Sequence, residues 1–318
     1  MALWTPANAE LPPGHWLEAY DAATLILDGS DGAEQMGDKT AGAKPATQTT
    51  ADLRPILLAD QLGTDPALDF AGTRRMAHTY ANPQTRITLF AVVSVNTSAG
   101  YRGIYSTSGP DSTAQTMMLA RGGTNNWGTF SGSYRQANSN IQGAGWQILC
   151  MRRSGAAGEF FRNGLADGTF AASQGQSGHV GGIPQGGQEF NGKLAATLVY
   201  PDEITDAEMR KTEGYFAHRL GLQSLLDASH PYKTEAPQAP FLGRFYGTTR
   251  DQNGALAQRR VIATLDSTGE CIGTALSDPV TGEYAVETTV DEPHTLIFTG
   301  EADRNALVYT GVMPEEIP

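Results

Sequence analysis

The stretch GKLAATLVYPDEITDAEMRKTEGYFAHRLGL, residues 192–222, decides the fold of this chain. It opens with a short apolar, β-rich run that ends at Pro201, because proline cannot donate to a β-ladder. A helix signal follows: Thr205 is a favourable N-cap, and Glu208, three residues later, completes a capping box. Gly221 is the expected C-terminal stop. The sequence therefore predicts a buried strand, a tight turn and one capped helix.

Residues 204–222, followed by His230-Pro-Tyr-Lys233, resemble the closing segment of concanavalin A-like (laminin G-like) jelly-roll domains. Such domains are common in phage structural proteins and bacterial surface proteins. The family's usual opening is matched in order at residues 16–25, 37–39, 46–48, 54–55 and 67–72. The resemblance covers most of residues 10–235, and it implies a β-sandwich with the helix packed outside it. Because this fold hosts many functions, the resemblance says little about function.

Composition and charge narrow the class of protein. Of 318 residues, 40% are apolar, which supports a real core, and 37 glycines with 17 prolines indicate the many turns of an all-β protein. The formal charge of −12 argues against a nucleic-acid partner, since phosphate-backbone binders normally carry basic patches. No apolar run is long enough to span a membrane. We therefore expect neither nucleic acid nor membrane as a partner.

The N-terminus lacks both the basic region and the apolar core of a signal peptide, so we expect no Sec export. The two cysteines, Cys150 and Cys271, fall in different predicted domains, which favours reduced thiols and folding in a bacterial cytoplasm. A phage virion protein, folded in the host cytoplasm and then released, fits these facts. A cytosolic enzyme fits them too.

The chain divides into an arm and two predicted domains: residues 1–13, residues 14–236, and residues 237–318. Residues 87–95 give the clearest strand, apolar on both faces and therefore placed centrally in a sheet. A proline-rich linker, residues 230–240, precedes a second series of short strands with glycine turns, which indicates a small β-sandwich. Residues 260–284 resemble carboxypeptidase-regulatory-like (transthyretin-like) modules. The predicted fold is all-β, a lectin-like jelly roll with one peripheral helix plus a small C-terminal β-sandwich.

Catalytic patterns are absent from the sequence. A retaining jelly-roll glycosidase needs two carboxyls about 5.5 Å apart, supplied as Glu-x-Asp-x-Glu on one strand, and no such triplet exists. The nearest acidic group, Glu203 to Glu208, lies at a helix start, where carboxylates offset the helix dipole and cap free N–H groups. The six histidines show no metal-ligand spacing, and no serine lies in Gly-x-Ser-x-Gly. We predict no enzyme and no cofactor.

Calcium is an alternative that the sequence does not support. Many lectin-like jelly rolls bind calcium through loop oxygens, and residues 28–32, DGSDG, offer such oxygens. A plain turn explains the same composition more simply.

Residues 122–140, GGTNNWGTFSGSYRQANSN, have the composition most typical of recognition, with aromatic residues set among Gly, Asn and Ser. A sugar has an apolar ring face and polar hydroxyls, so the predicted glycan-binding residues are Asn125, Asn126, Trp127 and Tyr134. The alternative is that Trp127 and Phe130 point into the core, which leaves only Tyr134 and the amides outside.

The sequence thus predicts a virion structural protein of a tailed phage or phage-like particle, in the fibre, spike or decoration class. Its expected partners are other virion proteins, copies of itself, with a trimer favoured, and host cell-surface polysaccharide. A purely architectural subunit without glycan binding remains an alternative, and a glycan-active enzyme is a weaker one.

Overall fold

The computed structural model describes residues 3–81, 86–96, 100–107, 117–121, 124–131, 133–171, 179–181, 189–238, 243–250, 255–288, 293–299 and 307–316. The chain forms two compact units. The large unit spans Trp4–Pro237, and the small unit comprises Met1–Leu3 and Gln238–Pro318.

Two antiparallel sheets make up the large unit. In chain order its strands are β1 (His15–Glu18), β2 (Leu25–Leu27), β3 (Ala33–Met36), β4 (Ala46–Thr47), β5 (Ile56–Leu62), β6 (Asp65–Asp69), β7 (Met76–Ala77), β8 (Arg86–Val95), β9 (Tyr101–Ser106), β10 (Met117–Arg121), β11 (Asn126–Ser131), β12 (Ser133–Asn140), β13 (Trp146–Ser154), β14 (Ala157–Arg162), β15 (Leu165–Ala171), β16 (His179–Val180) and β17 (Gly192–Tyr200). One sheet has the order β15-β14-β13-β8-β17-β6-β5, with β1 also paired to β17. The other has the order β12-β11-β10-β9-β16-β7-β4-β3-β2. Short 3₁₀ turns lie at Pro6–Asn8, Ala51–Leu53 and Gln223–Leu225.

Strand β8 lies at the centre of the first sheet, between β13 and β17, and both of its faces are buried. Leu89 and Val93 face the core between the two sheets, while Phe90 and Val92 face a second core beneath the helix. This alternation follows from the two-residue period of a strand. The predicted all-β sandwich with one peripheral helix is confirmed.

The helix α1 (Asp206–Arg219) packs outside this first sheet through Met209 and Phe216, which are fully buried. Its start is set by Thr205, whose side chain accepts a hydrogen bond from the Glu208 N–H at 3.2 Å. Its end is set by Gly221, which adopts a φ of +67° that a residue with a Cβ rarely takes. Both boundaries agree with the sequence prediction.

The His230-Pro-Tyr-Lys233 motif packs against the helix and the turn that follows it. His230 Nε2 lies 3.2 Å from Glu213 Oε2 on the helix, and both side chains are fully buried. The Tyr232 carbonyl lies 2.9 Å from His218 Nε2. Lys233 Nζ donates to three carbonyls of the 3₁₀ turn after the helix, at 2.8, 3.0 and 2.5 Å. The motif that carries the family resemblance therefore has a structural role.

A buried carboxylate ties β1 to the helix. Glu18 is 1% exposed, and its Oε1 accepts hydrogen bonds from Trp16 Nε1, Tyr20 Oη and Tyr215 Oη at 2.8, 2.5 and 2.9 Å. Lys39 Nζ contacts its other oxygen at 2.6 Å. Because a buried charge is costly unless it is paired and hydrogen-bonded, this set of donors explains how a carboxylate is tolerated beneath the helix.

The small unit has two sheets, in the orders β21-β18-β24 and β20-β19-β22-β23. Its strands are β18 (Gly243–Thr248), β19 (Arg260–Leu265), β20 (Cys271–Leu276), β21 (Glu283–Thr288), β22 (His294–Phe298), β23 (Leu307–Val312) and β24 (Glu315–Glu316). Its core contains Phe245, Val261, Ala263, Val286 and Leu296.

No helix in the described ranges is long and apolar enough to cross a membrane.

Candidate functional site

Strands β9 to β12 form one end of the nine-stranded sheet and carry two different faces. Met118 and Trp127 belong to the core between the sheets. Leu119 belongs to a separate small cluster with Tyr101 and Tyr134. This end of the sheet thus has an aromatic group on the face turned away from the main core. We call Tyr101, Leu119, Arg121 and Tyr134 the outer-face cluster.

The two tyrosines and the arginine of this cluster are packed against one another. The ring centres of Tyr101 and Tyr134 lie 5.5 Å apart, with an angle of 60° between their planes. The Arg121 guanidinium carbon lies 5.3 Å from the Tyr101 ring centre and 5.0 Å from that of Tyr134. Both distances fall in the cation–π range. Leu119 beneath them is only 1% exposed, whereas the other three side chains are half-buried.

Strand register explains why these residues meet. Arg121 pairs with Tyr101 in the ladder between β9 and β10. A β-bulge opposite Met118 and Leu119 places one extra residue, Ile104, in β9, and Leu119 then faces Gly103 on one side and Gly128 on the other. Because neither glycine carries a side chain, the floor around Leu119 stays shallow and the rings remain partly exposed.

Gly128 also permits a close approach of β12. A Cβ at this position would lie 2.0 Å from the Arg135 carbonyl oxygen. The strand irregularity here is held by the Asn126 amide, which donates to the Ala137 carbonyl at 2.7 Å. The Tyr134 hydroxyl donates in turn to the Asn126 carbonyl at 3.0 Å. These bonds fix the Tyr134 ring in place beside Arg121.

Burial within the cluster keeps the Tyr134 phenol protonated. Burial raises the pKa of Tyr134 above its ordinary value of 10.0, Arg121 opposes that rise, and Tyr101 adds to it. A protonated phenol remains a hydrogen-bond donor at any physiological pH. The cluster therefore offers ring faces and the N–H donors of Arg121, while the Tyr134 hydroxyl is engaged with the Asn126 carbonyl.

The structure corrects one member of the predicted glycan site. Trp127 is 0% exposed: its ring packs edge-on against Phe160 at 4.9 Å, and its Nε1 donates to Asp167 Oδ2 at 2.7 Å. A ring enclosed in this way presents no face to a sugar. The alternative, in which Trp127 points into the core, is the arrangement observed. The side chain of Phe130 lies outside the described residues.

The other predicted site residues take different positions relative to the outer-face cluster. Tyr134 is part of it, and Asn126 supports it through the bonds given above. Asn125 takes a φ of +60°, and its carbonyl accepts a hydrogen bond from the Ile141 N–H at 3.0 Å, so it shapes the turn before β11. Asparagine tolerates this left-handed conformation better than most residues.

Tyr101, Leu119 and Arg121 are the members of the cluster that sequence reasoning missed. They lie outside or at the margin of residues 122–140, and only the register across three strands brings them to Tyr134. One signal was available: residues 112–158 contain no aspartate and no glutamate, although the chain carries 34 acidic residues. Strands β10, β11 and β12 all fall inside this interval, and β9 also lacks acidic residues.

The DGSDG segment forms a turn in the structure. Asp28 Oδ1 accepts hydrogen bonds from the N–H groups of Ser30 and Gly32 at 2.8 and 2.9 Å, and Oδ2 contacts Arg54 Nη1 at 2.8 Å. The Arg54 hydrogen bond, followed by those two N–H groups, lowers the pKa of Asp28. Across the described part of the chain, no group of three or more His, Cys, Asp or Glu side chains is placed to hold a metal ion.

The acidic residues at the helix start are held in ion pairs. Asp206 Oδ1 lies 2.6 Å from Arg152 Nη1, and Glu208 Oε1 lies 3.1 Å from Lys211 Nζ. Glu203 contacts Arg86 at 3.0 Å. A cleft of about 590 Å³ lies beside them, lined by Arg152, Ser154, Ala157, Gly158, Glu159, Thr169, Phe170, Ala171 and Glu203.

Comparisons of this chain by sequence find no match. No family model matches it, and no curated protein matches it.

Comparisons by structure find distant similarities. The Trypanosoma rangeli sialidase in complex with the inhibitor DANA is 13% identical, with a TM-score of 0.41 over 64% of this chain. This chain spans 32% of the length of that sialidase. Domain 4 of AbnA, a GH43 extracellular arabinanase from Geobacillus stearothermophilus, in complex with arabinotriose, is 14% identical with a TM-score of 0.37, over 63% of this chain and 97% of that one. The CBM40 of the Ruminococcus gnavus IT-sialidase, bound to α2,3-sialyllactose, is 12% identical with a TM-score of 0.34, over 45% of this chain and 93% of that one. At these scores we base no functional assignment on the similarities.

Proposed function

We propose that this chain is a virion structural protein of a tailed phage or phage-like particle, in the fibre, spike or decoration class, and that its large sandwich binds host surface glycans. The observation that carries the binding function is the outer-face cluster: two partly exposed tyrosine rings that contact each other and one arginine. The virion role is supported by the jelly-roll resemblance of residues 10–235.

The chemistry of the cluster suits a sugar. A pyranose ring has an apolar face of C–H groups that packs on a tyrosine ring, and a rim of hydroxyls that needs hydrogen-bond partners. Tyrosine supplies rigid contact area at low conformational-entropy cost, which is why it is frequent in binding surfaces. Gln136 is exposed and pairs with Gly128 in the ladder between β11 and β12, so it lies on the same face as a further polar partner.

The same face supports binding rather than hydrolysis. A glycosidase that uses the usual pair of carboxyl groups would need them there about 5–10 Å apart, one of them as a general acid. Strands β9 to β12 contain neither aspartate nor glutamate. No residue of these strands has the chemistry for that role.

Binding of this kind is weak at a single site, so we propose that the protein acts as a homo-oligomer, with a trimer favoured. Linking several weak sites raises avidity by orders of magnitude when the sites are engaged together. Sedimentation of the full chain tests this: a single monomeric species, in solution and in the particle, would contradict it.

The binding function is tested with the full chain on a panel of bacterial surface oligosaccharides. Tyr134→Ala should abolish binding to whichever oligosaccharide the wild type binds. Tyr246→Ala, which removes a 54%-exposed tyrosine from the small unit, is the matched control and should bind as the wild type does. Equal binding by wild type and Tyr134→Ala would refute the proposed site.

Mass spectrometry of purified particles tests the virion role, because a structural protein must be present in them at stoichiometric copy number.

A further inference from the structure

We infer that the glycan bound at the outer-face cluster is acidic, and that Arg121 receives its carboxylate. This inference rests on the proposed glycan-binding function and adds the chemical class of the sugar. Its starting point is the state of the Arg121 guanidinium, which makes no hydrogen bond or ion pair with another described residue, and whose contacts are the two tyrosine rings.

Other arginines of the same region are neutralised. Residues 70–158 contain eight arginines and a single acidic residue, Asp111. Four of these arginines reach carboxylates elsewhere in the chain at 2.6–2.8 Å: Arg74, Arg75, Arg86 and Arg152. In a chain with a formal charge of −12, the half-buried Arg121 differs from these four in having no carboxylate partner among the described residues.

The local charge of this end of the sheet therefore opposes the charge of the whole chain. Strands β9 to β12 carry Arg102, Arg121 and Arg135 and no acidic side chain. Charges within a Debye length, about 8–10 Å at physiological salt, dominate the field at a site. A small anion is thus attracted at the cluster, while an extended polyanion such as a nucleic acid meets the negative remainder of the protein.

The geometry of Arg121 favours a carboxylate on a ring-shaped ligand. A guanidinium that stacks on aromatic rings uses its flat faces for them and keeps its N–H donors at its edge. That edge matches a carboxylate with two parallel hydrogen bonds. Tyr101 and Tyr134 lie directly beside it, so one ligand can place its carboxylate on Arg121 and its sugar ring on a tyrosine. Uronic acids and sialic acids both have this combination.

The test compares each acidic oligosaccharide with its own neutral form. Polyuronate and polysialate oligosaccharides are titrated into the full chain, and the same compounds are titrated after chemical reduction of their carboxyl groups to alcohols. We expect one acidic series to bind, and to lose about tenfold or more in affinity on reduction. The two series distinguish a uronic acid from a sialic acid.

Three variants connect that loss to Arg121. Arg121→Gln and Arg121→Met should weaken binding of the acidic oligosaccharide about as much as carboxyl reduction does, and should not discriminate the acidic form from the reduced form. Methionine keeps apolar packing against the rings, so it covers the case in which glutamine disturbs the fold. Arg121→Lys should recover only part of the affinity, because it keeps the charge without the planar pair of donors. Arg135→Gln is the matched control: it removes an exposed charge next to Tyr134 that contributes only to the local field, and it should lower affinity much less than Arg121→Gln does.

Failure of this inference and failure of the proposed function give different results. If acidic and reduced oligosaccharides bind equally and Tyr134→Ala abolishes both, the acidic class is refuted while the glycan site stands. If the wild type binds no oligosaccharide of either form, both proposals are refuted.

Discussion

The guanidinium carbon of Arg121 lies 5.0 Å from the centre of the Tyr134 ring, although the two residues belong to strands that are not neighbours in the sheet. Strand β11 lies between them, and in that strand Gly128, which carries no side chain, pairs with Leu119 in β10 and with Gln136 in β12. We therefore expect the contact to depend on Gly128. It joins a cation to an aromatic ring on a part of the sheet that has no acidic residue.

Gly128→Ala tests that dependence. The added Cβ would lie 2.0 Å from the Arg135 carbonyl oxygen, so β12 must shift away from β11. We expect a loss of about 1–3 kcal/mol in the free energy of unfolding, together with weaker glycan binding. Gly29→Ala, whose Cβ would meet no atom within 4 Å, is the control for denaturant unfolding. Equal stability of the two variants would contradict the close approach of β11 and β12.

Trp127 should behave as a core residue. Trp127→Ala should lower the free energy of unfolding by about 3–5 kcal/mol through the cavity it leaves. Trp127→Phe keeps most of the ring but deprives the buried Asp167 of a donor, at a cost of about 1–3 kcal/mol. Denaturant titration measures both. If Trp127→Ala melted as the wild type does but lost glycan binding, the placement of this ring would be wrong.

The pair of His230 and Glu213 should be strongly coupled. His230→Ala leaves a buried carboxylate with Arg210 as its remaining ionic partner, so we expect a loss of about 3–5 kcal/mol in the free energy of unfolding. Adding Glu213→Gln should restore part of that loss, because the neutral amide is cheaper to bury. A double-mutant cycle measures the coupling. Strictly additive losses would show that the two side chains do not interact.

His15 should make the protein less stable in acid. Its Nε2 lies 2.7 Å from the Lys44 carbonyl, which only accepts, so Nε2 carries the proton and Nδ1 accepts from the Tyr105 hydroxyl at 2.5 Å. Burial lowers the pKa of His15 from its ordinary 6.5, although Asp38 and the Lys44 carbonyl act in the opposite direction. The unfolded chain therefore binds a proton at a higher pH than the folded protein does.

The neutral, buried His15 contributes to the free energy of unfolding in full above pH 6.5. This contribution is lost as the pH falls from there toward the lower pKa that His15 has in the folded protein. The slope contributed by one such group is at most about 1.4 kcal/mol per pH unit. Urea unfolding at several pH values should show a shallower decline for His15→Gln than for the wild type below pH 6.5. Parallel declines would rule out this histidine as a cause.

The large unit should fold without the small one. A fragment of residues 4–237 keeps the hydrogen bond from the Trp4 N–H to the Pro237 carbonyl, at 2.9 Å, and all of the sandwich core. We expect it to unfold cooperatively and to keep glycan affinity within about twofold of the full chain. An insoluble or non-cooperative fragment would show that the predicted boundary near residue 236 does not separate independent domains.

The helix and the central strand could be predicted from the sequence because their determinants are local. Thr205 and Gly221 act within one helical turn, and the apolar run of β8 is buried on both sides wherever its neighbours lie. The outer-face cluster could not be predicted in the same way, because it depends on register across β9 to β12. The bulge at Leu119 and the irregularity at Gly128 each shift the two-residue alternation. Trp127 shows the same limit, since composition alone does not decide which face of a strand a ring occupies.

The central claim is that a glycan binds on the outer face of β9 to β12, and a structure of the full chain with a bound acidic oligosaccharide tests it most directly. We predict a sugar ring against Tyr101 or Tyr134 and a carboxylate oxygen about 2.7–2.9 Å from the Arg121 guanidinium nitrogens. A sugar bound instead in the cleft beside Arg152 and Glu159, with the outer-face cluster empty, would contradict the account.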